Sequence, residues 1–143
     1  MRNQLALKTS IIINAPISKV WDALTNPAVV KEYFFGTNLI TDWKEGGPIR
    51  FTGVWDGVAY EDKGTVLKFE PKHYLSYNYW SSFSGTEDIP ENYANIEYIV
   101  EAIDGGTQVT VTQDNMNDEA AVAHSENNWQ MLLEEMRKLI VKP

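Results

Sequence analysis

The chain reads as an α+β fold: a curved antiparallel sheet wrapped around a long C-terminal helix, with two short helices after the first strand. Three observations predict it. A β-prone run ending in Ile11-Ile12-Ile13 stops at Asn14-Ala15-Pro16 and gives way to a segment of helical periodicity. From Ile49 to Val111 the apolar period is two, punctuated by turn residues. The last two dozen residues then return to a helical period.

The first strand covers about Leu5 to Ile13. Pro16 stands where a first helical turn tolerates a missing N–H, and Ile17, Val20, Trp21 and Leu24 follow as one apolar stripe. Asn26-Pro27 repeats the device, with Asn26 as N-cap and Pro27 opening a second helix whose apolar side is Val30, Tyr33 and Phe34. Gly36 is its stop. Helices this short are marginal alone and need something to lean on.

Ile49, Phe51, Gly53 and Trp55 alternate with Arg50, Thr52 and Val54, between Gly46-Gly47 and Asp56-Gly57 turns. Thr65, Leu67 and Phe69 mark the next strand, ended by Pro71, and Leu75, Tyr77 and Tyr79 the one after. The loop "SSFSGTEDIPENY" leads to Ile96, Tyr98 and Val100, and Asp104-Gly105-Gly106 turns the chain into Val109 and Val111. Short turns between successive strands imply an antiparallel meander. The final helix, about Asp118 to Val141, carries Val122, Trp129, Leu132, Leu133, Met136, Leu139 and Ile140 on one stripe. Acidic residues at its start and Arg137-Lys138 near its end suit the helix dipole. A sheet with one apolar face needs a cover, and this helix is the only element large enough; the two short helices strap its end to the sheet.

Composition narrows the function. With 43% apolar and 22% charged residues, 143 residues make one globular domain, read as 1–143. A net charge of -8 sets the chain against nucleic acid and anionic membrane surfaces. No cysteine is present, which removes disulfides and thiolate chemistry. Polar residues Asn3, Gln4, Lys8, Thr9 and Ser10 interrupt any signal-peptide core, and no run reaches membrane-spanning length, so the expected location is cytoplasmic with no membrane insertion. His73 and His124 are far apart in sequence with no carboxylate at ligand spacing, so no metal site or other cofactor is expected. Both read as surface residues. No nucleophile elbow, phosphate loop or dinucleotide fingerprint is present, and no catalytic residue is assigned.

The aromatic residues carry the site reading. Five Trp, seven Tyr and five Phe exceed what core volume alone asks for. Trp21, Phe34 and Trp129 suit the core. Trp55, Tyr77, Tyr79 and Tyr98 fall on the inward phase of their strands. Buried tyrosines need partners for their hydroxyls, so several on one concave face point to a cavity lining with polar tips. The candidate ligand-binding set is Phe51, Trp55, Phe69, Tyr77, Tyr79, Tyr98, Trp129 and Leu133. Glu97 and Glu101 read as the solvated sheet face, Arg50 as a surface arginine, and the loop containing Phe83 and Ile89 as either a lid or a plain hairpin tip.

Five motifs, in order, carry a resemblance: "INAPISKVWDALTNPAVVKEYF", "DWKEGGPIRF", "GTVLKFEPKHYLSYNYW", "GGTQVTVTQDN" and "NWQMLLEEM". They resemble the START-like (SRPBCC, birch-pollen-allergen-like helix-grip) superfamily, and within it the branch named after the activator of heat-shock-protein-90 ATPase. Asn128 stands where that branch usually has Gly. The resemblance implies the helix-grip fold and a cavity for a hydrophobic small molecule such as a lipid, sterol or polyketide. The alternatives it leaves open are an enzyme of polyketide cyclase or hydrolase type using the same cavity, and a co-chaperone-like interaction module with a chaperone partner. The namesake co-chaperones carry an additional domain for which this chain has no room.

Overall fold

The computed structural model of the chain describes residues 5–34, 36–81, 85–116 and 118–141, the side chain of Trp55 excepted. Strand β1 (Leu5–Ile13) leads into helices α1 (Ile17–Thr25) and α2 (Pro27–Tyr33). Strands β2 (Asn38–Ile40), β3 (Pro48–Trp55), β4 (Val58–Glu70) and β5 (Tyr74–Ser81) follow. A single 3-10 turn, Pro90–Asn92, precedes β6 (Ala94–Ile103) and β7 (Gly106–Met116), and α3 (Glu119–Ile140) closes the chain. The seven described strands form one sheet in the order β1-β7-β6-β5-β4-β3-β2, each neighbouring pair antiparallel. With α3 laid across one face and two short helices early, this is the expected helix-grip architecture.

Local chemistry accounts for the joints. Asn26 caps α2, its side chain accepting from Ala28 N–H at 3.0 Å, with Pro27 in the first turn. Gly36, at φ 82°, ends that helix and donates its N–H to the Lys31 carbonyl at 3.0 Å. Asp56 and Gly57, at φ 51° and 78°, form the two-residue turn between β3 and β4, both central residues left-handed as a tight hairpin requires. Asp118 caps α3, accepting from Ala121 N–H at 2.8 Å. Pro16 occupies the cap position of α1 and not its first turn, one residue earlier than expected.

Two elements differ from the sequence expectation. Strand β2 was not expected; with three residues and only Leu39 buried, it is too short to show a period. Strand β4 runs 13 residues, and its register against β5 shifts between Val66 and Lys68. That bulge reverses the side-chain phase: Val66 is fully buried and Leu67, expected to face inward, is 45% exposed. Gly64 lies beside it, where a Cβ would fall 1.7 Å from the Asn78 carbonyl oxygen. Only glycine allows β4 and β5 to approach so closely.

Helix α3 packs chiefly over β1 and touches β7, α1 and α2. Leu132, Leu133, Met136 and Ile140 are its buried residues. They join Ile13, Val100, Val109 and Val111 in the core, where each fully buried aliphatic side chain contributes about 1.5–3 kcal/mol. The short helices are tied down in turn. The Tyr33 hydroxyl donates to the Ala23 carbonyl at 2.8 Å, and the Trp43 indole donates to the Thr25 carbonyl at 3.0 Å. Trp21 and Trp43 both pack on Phe69, with ring centroids 5.6 and 5.4 Å away. The strap therefore leans on α3, on the sheet and on this aromatic triad.

Candidate ligand-binding site

Because α3 lies over β1, the stretch of inner face around Phe51, Tyr77 and Tyr79 is left open beside it. Between that face, the end of α2 and the first half of α3 is a cavity of about 600 Å³. Its floor is Phe51 on β3, Tyr77 and Tyr79 on β5, and Ile96 on β6. Phe34 at the end of α2 and Gln113 on β7 form two sides. The α3 wall is Trp129 and Leu132, with Ser125, Asn128 and Met131 at the lip, where Met131 is 50% exposed.

Strand register explains the convergence. Tyr77 pairs with Ile96 across β5 and β6, and Ile96 with Gln113 across β6 and β7. Directly opposite residues share a face, so these three line up beneath α3. The rings form a continuous chain. Phe34 stacks on Phe51 at 5.9 Å, and Phe51 meets Tyr77 at 5.6 Å and Tyr79 at 5.9 Å. Tyr77 neighbours Tyr98 at 6.4 Å, and Tyr98 meets Trp129 edge to face at 5.8 Å.

Each polar tip has a definite partner. The Trp129 indole N–H donates to Gln113 Oε1 at 2.9 Å. Indole nitrogen can only donate, so the Gln113 amide is oriented with its NH₂ turned elsewhere. The Tyr79 hydroxyl donates to Asp62 Oδ2 at 2.5 Å. The Tyr77 and Tyr98 hydroxyls bond to each other. Burial raises the pKa of Tyr77 and Tyr98 above the ordinary phenol value; at Tyr79 burial does so first and the Asp62 charge second. At neutral pH all three are uncharged hydrogen-bonding groups in an otherwise apolar wall.

Of the expected site residues, Phe51, Tyr77, Tyr79 and Trp129 stand on the cavity wall. Tyr98 stands one layer behind, between Tyr77 and Trp129. Leu133 is fully buried in the core and does not reach the lining, because it lies one step round α3 from Leu132. Phe69 faces inward opposite Leu75, but at the end of β4 that lies under α1, where it joins Trp21 and Trp43 away from the cavity. The Trp55 side chain falls outside the described residues. Trp129, expected in the core, is only half-buried and serves the wall.

Sequence reasoning missed Phe34, Ile96, Gln113 and the lip of α3 as lining. Gln113 had a signal: it continues the inward alternation of Val109 and Val111. The lip residues had none, since exposed polar residues on a helix are ordinary. His73 and His124 are exposed as expected, His124 lying 3.3 Å from Asn128. Arg50 is exposed and pairs with Glu61. Phe83 lies outside the described residues. The described part of its loop is tied to the face opposite the cavity, through Asp88 to Lys63 and Thr86 to the Trp80 indole.

Comparison with known proteins agrees with this fold. No curated protein matches the chain. The solution structure of ChR145 from Cytophaga hutchinsonii is 45% identical, covers 98% of this chain and 96% of its own, and superposes with a TM-score of 0.86. Two more distant structures share the fold. DynU16, from the dynemicin biosynthetic locus, has 20% identity and a TM-score of 0.79 over 95% of this chain and 47% of its own. The Aha1 dimer from Colwellia psychrerythraea has 19% identity and a TM-score of 0.74 over 95% and 96%. The sequence pattern of the activator of Hsp90 ATPase homolog 1-like proteins matches residues 14–140. With that pattern spanning the strap, the meander and the long helix, the chain belongs to the activator of Hsp90 ATPase homolog 1-like family.

Proposed function

We propose that the chain binds a hydrophobic, largely aromatic small molecule in the cavity between α3 and the sheet. The observation that carries this is the unbroken run of rings from Phe34 through Phe51, Tyr77 and Tyr98 to Trp129, around a space of about 600 Å³. That volume and an apolar wall with a few placed polar groups are what small-molecule sites have. A co-chaperone-type module would instead favour a filled interior. Catalysis is not part of the reading: both histidines are exposed and off the cavity, and its tyrosines are held neutral. DynU16, which shares the fold, comes from a biosynthetic locus, and that fits a role in handling small organic molecules. The reading treats residues 1–143 as one cytoplasmic domain whose partner is the small molecule. Its net charge of -8 disfavours nucleic acid and anionic membranes.

Titration calorimetry with fatty acids, flavonoids and polyketides tests it. At least one class should bind saturably, one molecule per chain, and Ile96→Phe, which fills the floor, should abolish that binding while the protein stays folded. Absence of saturable binding for every class would refute the reading, as would full affinity in Ile96→Phe.

A further inference from the structure

We propose that Gln113 selects what the cavity holds, its side-chain NH₂ donating to a carbonyl oxygen on a neutral, otherwise apolar aromatic ligand. This rests on the cavity-binding reading and deepens it. Gln113 lines the cavity from β7, where it pairs with Ile96 of the floor. Its Oε1 accepts the indole N–H of Trp129 at 2.9 Å. An indole nitrogen only donates, so turning the amide over would set two donors against each other. The bond therefore fixes the amide, and the branch left to a ligand is the NH₂. That NH₂ has no hydrogen-bond partner among the described residues. Nor is it sealed in: among the described residues, the one enclosed side-chain polar atom without a partner is Asp62 Oδ1.

The rest of the wall makes this donor distinctive. The Tyr79 hydroxyl hydrogen goes to Asp62, and the Tyr77 hydroxyl is paired with that of Tyr98. Ser125 and Asn128 stand at the lip, where water competes for them. None of the described lining residues is charged. A ligand carboxylate would leave water with no cation to meet it, in a protein of net charge -8. A ligand ammonium would bring a donor to a donor. A carbonyl oxygen only accepts, carries no charge, and lets the aromatic body beside it lie along Phe51 and Phe34. The ligand class is therefore a flat aromatic molecule with a ketone, ester or amide carbonyl near one end.

Three probes of one skeleton test it: fluorene, fluorenone, which adds a carbonyl, and hydroxyfluorene, which adds a hydroxyl. Calorimetric titration of the parent should show fluorenone bound about three- to tenfold more tightly than fluorene, the size of a neutral hydrogen bond net of lost hydration. The infrared carbonyl stretch of bound fluorenone should lie below its frequency in hexane. Gln113→Glu keeps the length and an oxygen for Trp129 but puts a carboxylate oxygen where the NH₂ was. At about pH 8, where a glutamate is ionised, that oxygen repels a carbonyl and accepts from a hydroxyl. The ratio of fluorenone to hydroxyfluorene affinity should therefore fall at least about tenfold in the variant. A merely structural Gln113 would weaken all three probes alike. Equal affinity of the parent for fluorene and fluorenone overturns the inference and keeps the cavity reading. A carbonyl stretch unchanged from hexane does the same, and neither result needs a variant to fold. An unchanged ratio in Gln113→Glu overturns the inference likewise. If no probe saturates the parent the inference falls, and the cavity reading falls with it when the fatty acids, flavonoids and polyketides fail as well.

Discussion

The indole of Trp129 on α3 and the amide of Gln113 on β7 are joined at 2.9 Å at one side of the cavity, so two parts of its wall are one hydrogen-bonded unit. Trp129 is half-buried and packs edge to face on Tyr98. Trp129→Ala should therefore weaken binding of an aromatic ligand by at least about tenfold. Its stability loss should be smaller than that of a fully buried tryptophan. Titration calorimetry and urea unfolding of the same variant check the two halves. Unchanged affinity would remove Trp129 from the site.

Trp21 supplies the contrast. It is 8% exposed, lies on the buried stripe of α1 with Val20 and Leu24, and packs on Phe69. Trp21→Ala should destabilise the fold by about 3–5 kcal/mol, a large share of the roughly 5–15 kcal/mol a domain has. Urea unfolding at the parent's midpoint would show that the strap does not support the fold.

Tyr77→Phe should be mild. It deletes one hydroxyl from the Tyr77–Tyr98 pair and leaves the ring contacts with Phe51 intact. The expected loss is about 0.5–1.5 kcal/mol, measured by urea unfolding. A loss as large as that of Trp21→Ala would mean the hydroxyl pair holds the sheet and not the cavity.

Alkaline pH should unfold the protein through its buried tyrosines. Burial is the chief cause raising the pKa of Tyr33, Tyr77, Tyr79 and Tyr98 above the ordinary phenol value. Below that value both states keep the proton and stability is complete. Above about pH 10 the unfolded chain releases protons that the folded chain retains, so stability falls by up to about 1.4 kcal/mol per pH unit for each such tyrosine. Urea midpoints should be level in tyrosine's contribution up to about pH 9 and drop steeply beyond about pH 10. Phenolate absorbance of all seven tyrosines titrating together near pH 10 in the folded protein would contradict this.

Much of this was legible in the sequence because burial imposes period. Ile17, Val20, Trp21 and Leu24 announced α1, and the alternation through Tyr77 and Tyr98 announced the concave face. Leu67 was misplaced because a bulge resets the phase without any local mark other than Gly64, and Phe69, though inward, lies at the α1 end of its strand, a position that periodicity does not show. Phe34 looked like core, since a short helix shows which side is apolar but not whether that side meets a wall or a space. Asp62 drew no attention because an acidic residue in a strand reads as solvated unless its cross-strand partner is known to be Phe51.

The central claim is that a small molecule occupies the space beneath α3, and amide and indole NMR shifts of the labelled protein during titration with hydroxyfluorene test it most directly. Saturable shifts are predicted at Phe51, Tyr77, Tyr79, Ile96 and Gln113 and at the Trp129 indole N–H, which bonds Gln113 on the cavity wall. Shifts confined to the opposite sheet face, at Lys63, Asn78 and Asn95, or no saturable shift at all, would contradict it.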